Sequence, residues 1–465
     1  MMTSILLATC LFQESHVSLS RHQEKDVPVS AWLSTQDKSF LLAPVPDLLF
    51  QKIEGKRSLE ADLWIKEDIR YQSILGLGSS LEHSTCYNLS LLAPEEREKT
   101  LERIVHPDRG AGMNLMRICI GTPDFTASPW YTYNDCEPGQ TDPELKRFSI
   151  EKDKDYVLPI LKMALRINPE LLFVASPWSP PGWMTTNDKI GGGSIREDCF
   201  QPYAEYLARF VEAYEREGIP VAFITPQNEP DYNPVTYPTC KWTGEQQRAF
   251  IRDHLGPLFQ DRGIRTQIWC WDHNYNKLEF PRVILSDPKA AKVVAGTAFH
   301  HYEGKPEAMS QLQKEFPDHE IHFTEGSTFG VQGACKIIEI LQNGAGSYLA
   351  WVTLIDHKMK PNPGPHWCAP TCIVLNSETL TLEYRFDYYM YAQFMKFIPR
   401  GAIRIGSETQ RQKISHVAFL NPNGSRTLVL AHPGSKAIFL TLAWQERFLQ
   451  IELPAQSVMT LQWGL

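Results

Sequence analysis

The chain has 465 residues, 43% of them hydrophobic and 22% charged, which suits a soluble globular protein with one large domain and a smaller companion. A net charge of −8 argues against nucleic acid or an anionic membrane as partner. No segment reaches the ~18 consecutive apolar residues of a membrane span.

Residues 1–26 carry little pattern. Ile5 to Phe12 is a short apolar run without a preceding Lys or Arg, and both a degenerate signal peptide and a misplaced start remain open readings. Residues 27–72 hold short strand-like runs, among them VSAWLST, FLLAPV, DLLFQKI and EADLWIK. From Ser73 to about residue 395 strands alternate with helical patterns. SILGLGSS, NLMRICIGTPDF, LLFVASPWSPPGW, VAFITPQNEP, TQIWCWDHN, KVVAGTAFHHY, EIHFTEGS and GSYLAWVTLID are the eight strand segments. Eight such units predict a (β/α)8 barrel with inserted loops. Residues 396–465 return to strands separated by turns such as Asn421-Pro422-Asn423-Gly424, and predict a β-sandwich that the N-terminal strands join.

The ten cysteines are scattered and show no paired CxxC spacing of a zinc site. Cys119 and Cys270 lie in apolar runs and read as buried thiols, which favours a reducing, cytoplasmic setting over a secreted one. Disulfides involving Cys136, or joining Cys368 to Cys372, stay open.

In a (β/α)8 barrel chemistry sits at the C-terminal ends of the strands. Those ends offer Arg117, Asp124 and Phe125; Trp178, Trp183 and Asn187; Gln227, Asn228 and Glu229; Trp271, Asp272 and Asn274; His300, His301 and Tyr302; Glu325; and Trp351 and Asp356. Glu229 and Glu325 close strands four and seven, 325 − 229 = 96 residues apart, across the barrel from each other. Two facing carboxylates with amides and aromatics suit glycosidic bond cleavage, with Glu229 as general acid and then base, and Glu325 as nucleophile. A single glutamate there is more often a salt-bridge partner than a catalyst; the pair tips the balance. Arg117 and Asp124 are expected to pair with each other or with another charge. His300 and His301 point to opposite faces, so they do not form a two-histidine metal site. Trp269 and Trp271 are expected to share a face. Gly76 to Ser80 reads as a strand-end turn, since it lacks the Lys-Ser/Thr of a phosphate loop. Gly191–Gly193 reads as a flexible insert.

Several of these segments resemble glycoside hydrolase family 30, of the glucosylceramidase type, over residues 27–465. The carriers are RICIGTPDF, SPWYTYND, SPWSPPGWMTTN, TPQNEP, AFHHY and FTEGS. The resemblance implies a barrel joined to a β-domain built from both termini, a retaining mechanism, and no metal or other cofactor. It implies a β-linked carbohydrate or glycolipid as substrate, β-glucosides and glucosylceramide first. Beside Glu229 and Glu325 it places Asp124, Phe125, Trp130, Trp178, Asn187, Asn228, His300, Tyr302 and Trp351 against the substrate. Two departures bear on the sugar. After strand one the chain reads GLGSSLEHST, with Glu82 and His83 where the family often has a sugar-gripping acid, and LAWVTLIDHKMK is less aromatic than usual. A β-1,6-glucanase, β-xylosidase or β-fucosidase is the rival within the family; a non-catalytic sugar-binding barrel is the rival outside it.

Overall fold

The computed structural model describes residues 26–53, 60–362, 371–410 and 414–464. The Ile5–Phe12 run and Cys368 lie outside them. Eight parallel strands close into a barrel: Gly76–Ser80, Leu115–Ile120, Leu172–Pro177, Phe223–Ile224, Gln267–Asn274, Val294–His300, Glu320–Glu325 and Ala345–Leu349. Buried on both faces, most read as near-continuous apolar runs, as parallel strands do. The helices between them are amphipathic: Phe200–Arg216 buries Phe200, Tyr203, Tyr206, Leu207, Phe210, Val211 and Tyr214 and leaves its charges outside. Strand one presses close on strand two, where a Cβ on Gly78 would meet the Leu115 carbonyl oxygen at 1.9 Å.

A second sheet of nine strands also closes on itself. Three come from the N-terminal region, Val27–Thr35, Ala43–Lys52 and Leu63–Ser73, and six from the tail, beginning at Ile403–Thr409 and ending at Ser457–Trp463. Val27–Thr35 lies between Ala43–Lys52 and the last strand, so the two ends of the chain meet in one layer. Every pairing is antiparallel except that of Ile438–Trp444 with Leu63–Ser73. Phe50, Trp444, Trp463, Leu33, Ile451 and Leu461 fill its core. Arg400 binds it to the base of the barrel, donating to the carbonyls of Leu75, Asn114 and Glu170 at 2.9, 2.9 and 3.0 Å.

Three expectations need correcting. Strand four is only Phe223–Ile224, because Pro226 has no N–H to give; beyond it single bonds hold the chain, from Thr225 N–H to the Ala175 carbonyl and from Asn228 N–H to that of Pro177. Strand eight ends at Leu349, and Leu354–Asp356 joins a separate small sheet with Ile373–Asn376 and Thr381–Tyr384. Asp356 there accepts from the N–H groups of Lys358 and Lys360 and from the Ser377 hydroxyl, a turn-forming role. Trp269 and Trp271 do not share a face. Trp269 stacks on Phe223 and His322 inside the barrel, whereas Trp271 packs outside on Phe280. The register shifts between Ile268 and Trp269, and Trp271 and Asp272 take φ of +72° and +70°, which breaks the alternation of an ordinary strand.

The long loop after strand two is tied down by Asp153. This buried carboxylate accepts from the hydroxyls of Tyr131, Tyr133 and Tyr214 at 2.7, 2.6 and 2.6 Å, joining the loop to the helix Phe200–Arg216. Asp153→Ala removes the acceptor from three buried hydroxyls, and a loss of about 3 kcal/mol or more is expected. Urea unfolding checks this; an unchanged midpoint would show that the carboxylate does not anchor the loop.

Candidate active site

The strand ends converge on one buried charge, Asp272. Its Oδ2 accepts from Arg117 Nη2 at 2.8 Å and faces the Ser176 and Thr225 hydroxyls at 2.9 and 2.7 Å. Its Oδ1 faces the Thr324 hydroxyl at 2.6 Å and His300 Nε2 at 3.0 Å. Burial opposes the charge on Asp272, but Arg117 and His300 outweigh it and hold the carboxyl well below its usual range. The left-handed pair Trp271–Asp272 turns this carboxylate into the barrel. The Asp272 carbonyl also accepts from the Glu229 N–H at 3.0 Å.

From this hub the interactions reach both glutamates. Arg117 donates through Nη1 to Glu325 Oε2 and through Nη2 to Asn228 Oδ1, the latter at 2.9 Å. Its guanidinium lies over Trp178 and Trp351, 4.9 and 5.5 Å from the ring centroids, and those two rings stack at 5.0 Å. Arg117 therefore pairs with Asp272 and Glu325, not with Asp124. His300 stands between Asp272 and Glu229, with Nδ1 3.3 Å from Glu229 Oε1. Burial alone would strip its proton; the charges of Glu325, Asp272 and Glu229 prevail and raise it to about 9. The Tyr302 hydroxyl donates to Glu325 Oε1 at 2.8 Å although much of the residue is exposed.

The two glutamates are thus held differently. Glu325 accepts from Arg117 and Tyr302. Glu229 has its pKa raised, by burial first and by the Glu325 charge, with His300 and Arg117 opposing. It adopts φ of +47° at the strand end, a conformation unusual for a residue with a side chain. Carboxylate oxygens of Glu229 and Glu325 and a ring nitrogen of His300 lie within 4.8 Å of one another. Such a trio has ligand-like spacing, but His300 already spends both nitrogens on Asp272 and Glu229, and Arg117 already neutralises Glu325.

The remaining candidates divide. Asp124 is close enough that the charges of Glu325 and Glu229, after burial, push its carboxyl well up, and its Oδ1 is buried without a protein partner. Phe125, Trp178 and Trp351 form one cluster with Cys119 and Tyr237, and Trp130 packs against it. Phe125, Trp178 and Trp351 are all buried there. Asn187 stands apart on the exposed rim, its amide spent on Thr185, Lys189 and Gly191. His301 points the other way, accepting from the Ser327 N–H. Glu82 is buried as the cap of an unexpected helix, His83–Ser90, and its carboxylate is spent on the Ser80 hydroxyl and the Thr85 N–H. Asp272 was among the strand-end residues, but with no role attached. The signal for it was available: Ser176, Thr225 and Thr324 are polar residues inside apolar strands, and buried hydroxyls require partners. A cavity of about 870 Å³ opens at the other end of the barrel, between Tyr71, His322 and Arg404. It lies at the N-terminal ends of the strands, away from this constellation.

A (β/α)8 barrel carrying two facing glutamates at its C-terminal rim has the make-up of a carbohydrate-cleaving enzyme. The chain belongs to glycoside hydrolase family 30: residues 74–340 match the glycosyl hydrolase family 30 TIM-barrel domain and residues 401–461 its beta sandwich domain. It is 30% identical over 419 residues to the endo-1,6-beta-D-glucanase neg1 of Aspergillus fumigatus, covering 84% of each chain. To the lysosomal acid glucosylceramidase of Mus musculus it is 29% identical over 441 residues, covering 86% of this chain and 83% of the other. Among solved structures it is similar to the endo-beta1,6-glucanase BT3312, with a TM-score of 0.83 and 28% identity over 94% of this chain and 100% of that one. Among the described residues no helix is long and apolar enough to cross a membrane.

His300→Gln removes a cation 3.3 Å from Glu229. That cation favours the ionised glutamate, so without it Glu229 holds its proton to higher pH. The alkaline limb of kcat/KM is expected to move up by about one unit or more. Arg117 and the weakly basic His273, whose pKa burial and the His300 charge lower to about 3, are the other nitrogens near Glu229. A limb that stays in place or moves down would contradict the geometry.

Proposed function

We propose that the chain is a retaining β-glucoside hydrolase acting on β-1,6-linked glucan, with Glu229 as acid/base and Glu325 as nucleophile. The observation that carries the reading is the approach of the two carboxylates, with oxygens within 4.8 Å. Retaining enzymes hold their carboxyl groups about 5–5.5 Å apart, whereas inverting ones leave about 6.5–9.5 Å for a water. Their environments support the division of labour, since burial and the Glu325 charge raise the pKa of Glu229, while Glu325 accepts from Arg117 and Tyr302. In the first step Glu325 attacks the anomeric carbon while Glu229 protonates the departing oxygen. In the second Glu229 takes a proton from water, which displaces Glu325. Asn228, oriented by Arg117, and Asp124, with its unpartnered oxygen, are placed to hold sugar hydroxyls.

The expectation from sequence put glucosylceramide first. The fungal relatives, at 30% identity to the Aspergillus fumigatus and Neurospora crassa endo-1,6-beta-D-glucanases, shift the first choice to β-1,6-glucan. A glucosylceramide reading draws support from the murine relative and from exposed Tyr232, Val235 and Tyr302 on the loops after strands four and six.

Glu229→Ala is expected to lose about 100-fold or more on β-1,6-glucan, and to regain turnover of 2,4-dinitrophenyl β-glucoside when azide is added, giving β-glucosyl azide. An α-azide product, or no loss on the glucan, would remove Glu229 from the role. Comparing kcat/KM of the parent on β-1,6-glucan and on glucosylceramide decides the substrate.

A further inference from the structure

The cavity of about 870 Å³ at the foot of the barrel takes no part in the chemistry above, yet it has the size and the domain-junction setting of a small-molecule site. Both layers of the molecule wall it. The barrel supplies residues 317–322, at the start of strand seven, and the turn at 342–344 before strand eight. The β-domain supplies residues 71–73 and Arg404. Gln72 joins these walls. Its amide donates to the carbonyls of Leu341 and Ala345 at 2.6 and 3.0 Å, and its Oε1 accepts from Arg404 Nε at 2.9 Å. The Ser310 hydroxyl donates to Asn343, and the Gln313 amide to the carbonyls of Pro317 and His319. The walls are therefore fixed in advance, which spares a ligand the work of ordering them.

Two groups on these walls lack partners that match their chemistry. The first is His322. It is 1% exposed, its ring stacks on Trp269 with centroids 3.8 Å apart, and neither ring nitrogen makes a hydrogen bond. Nε2 stands 3.2 Å from Glu320 Oε2 but out of line with it. The Glu320 side chain is largely exposed and lines the same cavity, so the ring edge that carries Nε2 is turned towards the opening. Burial pushes the His322 pKa down, which leaves a neutral imidazole with one N–H to give and one nitrogen to accept. Hydroxyl groups, which both give and accept, suit such a ring.

The second is Arg404. Its guanidinium lies over the Tyr71 ring at 3.5 Å, and its Nε meets a neutral amide. Burial pushes it down to about 10, with Tyr71 as the opposing influence. Among the described residues no acid pairs with it, and a half-buried cation of this kind calls for an anion. Exposed Lys314 on the same wall adds a second positive charge. Asp318 and Glu320 are the acids there, and Glu320 is drawn to His322.

We propose that this cavity is a second ligand site, for a small hydroxylated anion of the sugar-phosphate or sugar-acid kind, with Arg404 and Lys314 taking the anionic group and His322 reading hydroxyls. It opens at the end of the barrel opposite the two glutamates. It therefore does not rest on the glucanase reading, and its occupant does not compete with substrate.

The test is isothermal titration calorimetry of the full chain with glucose 6-phosphate, gluconate, inorganic phosphate and glucose. Saturable binding of glucose 6-phosphate or gluconate at millimolar concentration or below is expected, with glucose weaker by about tenfold or more for want of the charge. The tighter of the two anions identifies the charged group. Arg404→Gln is expected to weaken that binding by about tenfold or more. Lys314→Gln, at an exposed position where folding is not at stake, is expected to weaken it in the same direction. His322→Phe keeps a ring against Trp269 and removes both nitrogens, so it is expected to weaken the hydroxylated anion and leave inorganic phosphate unchanged. Binding of neither hydroxylated anion, or binding that Arg404→Gln and Lys314→Gln both leave unchanged, would overturn the site. Displacement of the bound anion by a β-1,6-linked glucose oligosaccharide would place it at the strand-end rim and overturn the site as well.

Discussion

The site depends on one buried ion pair, Arg117 with Asp272. Neither side chain has measurable exposure, and a charge so placed is tolerated only with partners on every side. Asp272 finds them in Arg117, His300 and three hydroxyls from strands three, four and seven. Arg117 finds its own in Asp272, Glu325 and Asn228, and in the two tryptophan faces. Each catalytic candidate is therefore oriented through the pair. Glu325 is bonded to Arg117, Glu229 to His300, and the Glu229 N–H to the Asp272 carbonyl. A parallel barrel makes this arrangement possible, because it brings the ends of sequence-distant strands to one rim.

The same electrostatics separate two chemically identical side chains. Glu325 sits between a guanidinium and a phenol, both donating to it. Glu229 faces a histidinium, yet burial and the nearby negative charge of Glu325 still raise its pKa. Asp124 is pushed well up, by burial first and then by both negative charges.

Much of this was legible in the sequence. Apolar runs ending in Glu229 and Glu325 marked two barrel strands, and the counting of βα units put them opposite each other. His300 and His301 pointed to opposite faces, as alternation requires. Legibility failed where backbone departs from a regular period. The left-handed turn at Trp271–Asp272 separates the two tryptophans and delivers Asp272 to the centre; local sequence gives no warning of positive φ at a tryptophan. Strand four is shorter than its apolar run because Pro226 breaks the ladder. The Gly191–Gly193 loop reads as slack but is held by Thr239, Lys241 and Asn187, partners up to about 50 residues away that no local pattern reveals.

The most direct test of the central claim is intact-mass spectrometry after brief exposure to 2-deoxy-2-fluoro-β-glucosyl fluoride, followed by peptide mapping. The fluorine at C2 slows both formation and hydrolysis of a glycosyl-enzyme, and the good leaving group restores only the rate of formation, so a covalent intermediate accumulates. A single fluoroglucosyl unit on Glu325 is the predicted result. An adduct on any other residue, or none under conditions in which β-glucosyl fluoride is turned over, would contradict the assignment of Glu325 as nucleophile and the account of Arg117 and Tyr302 built around it.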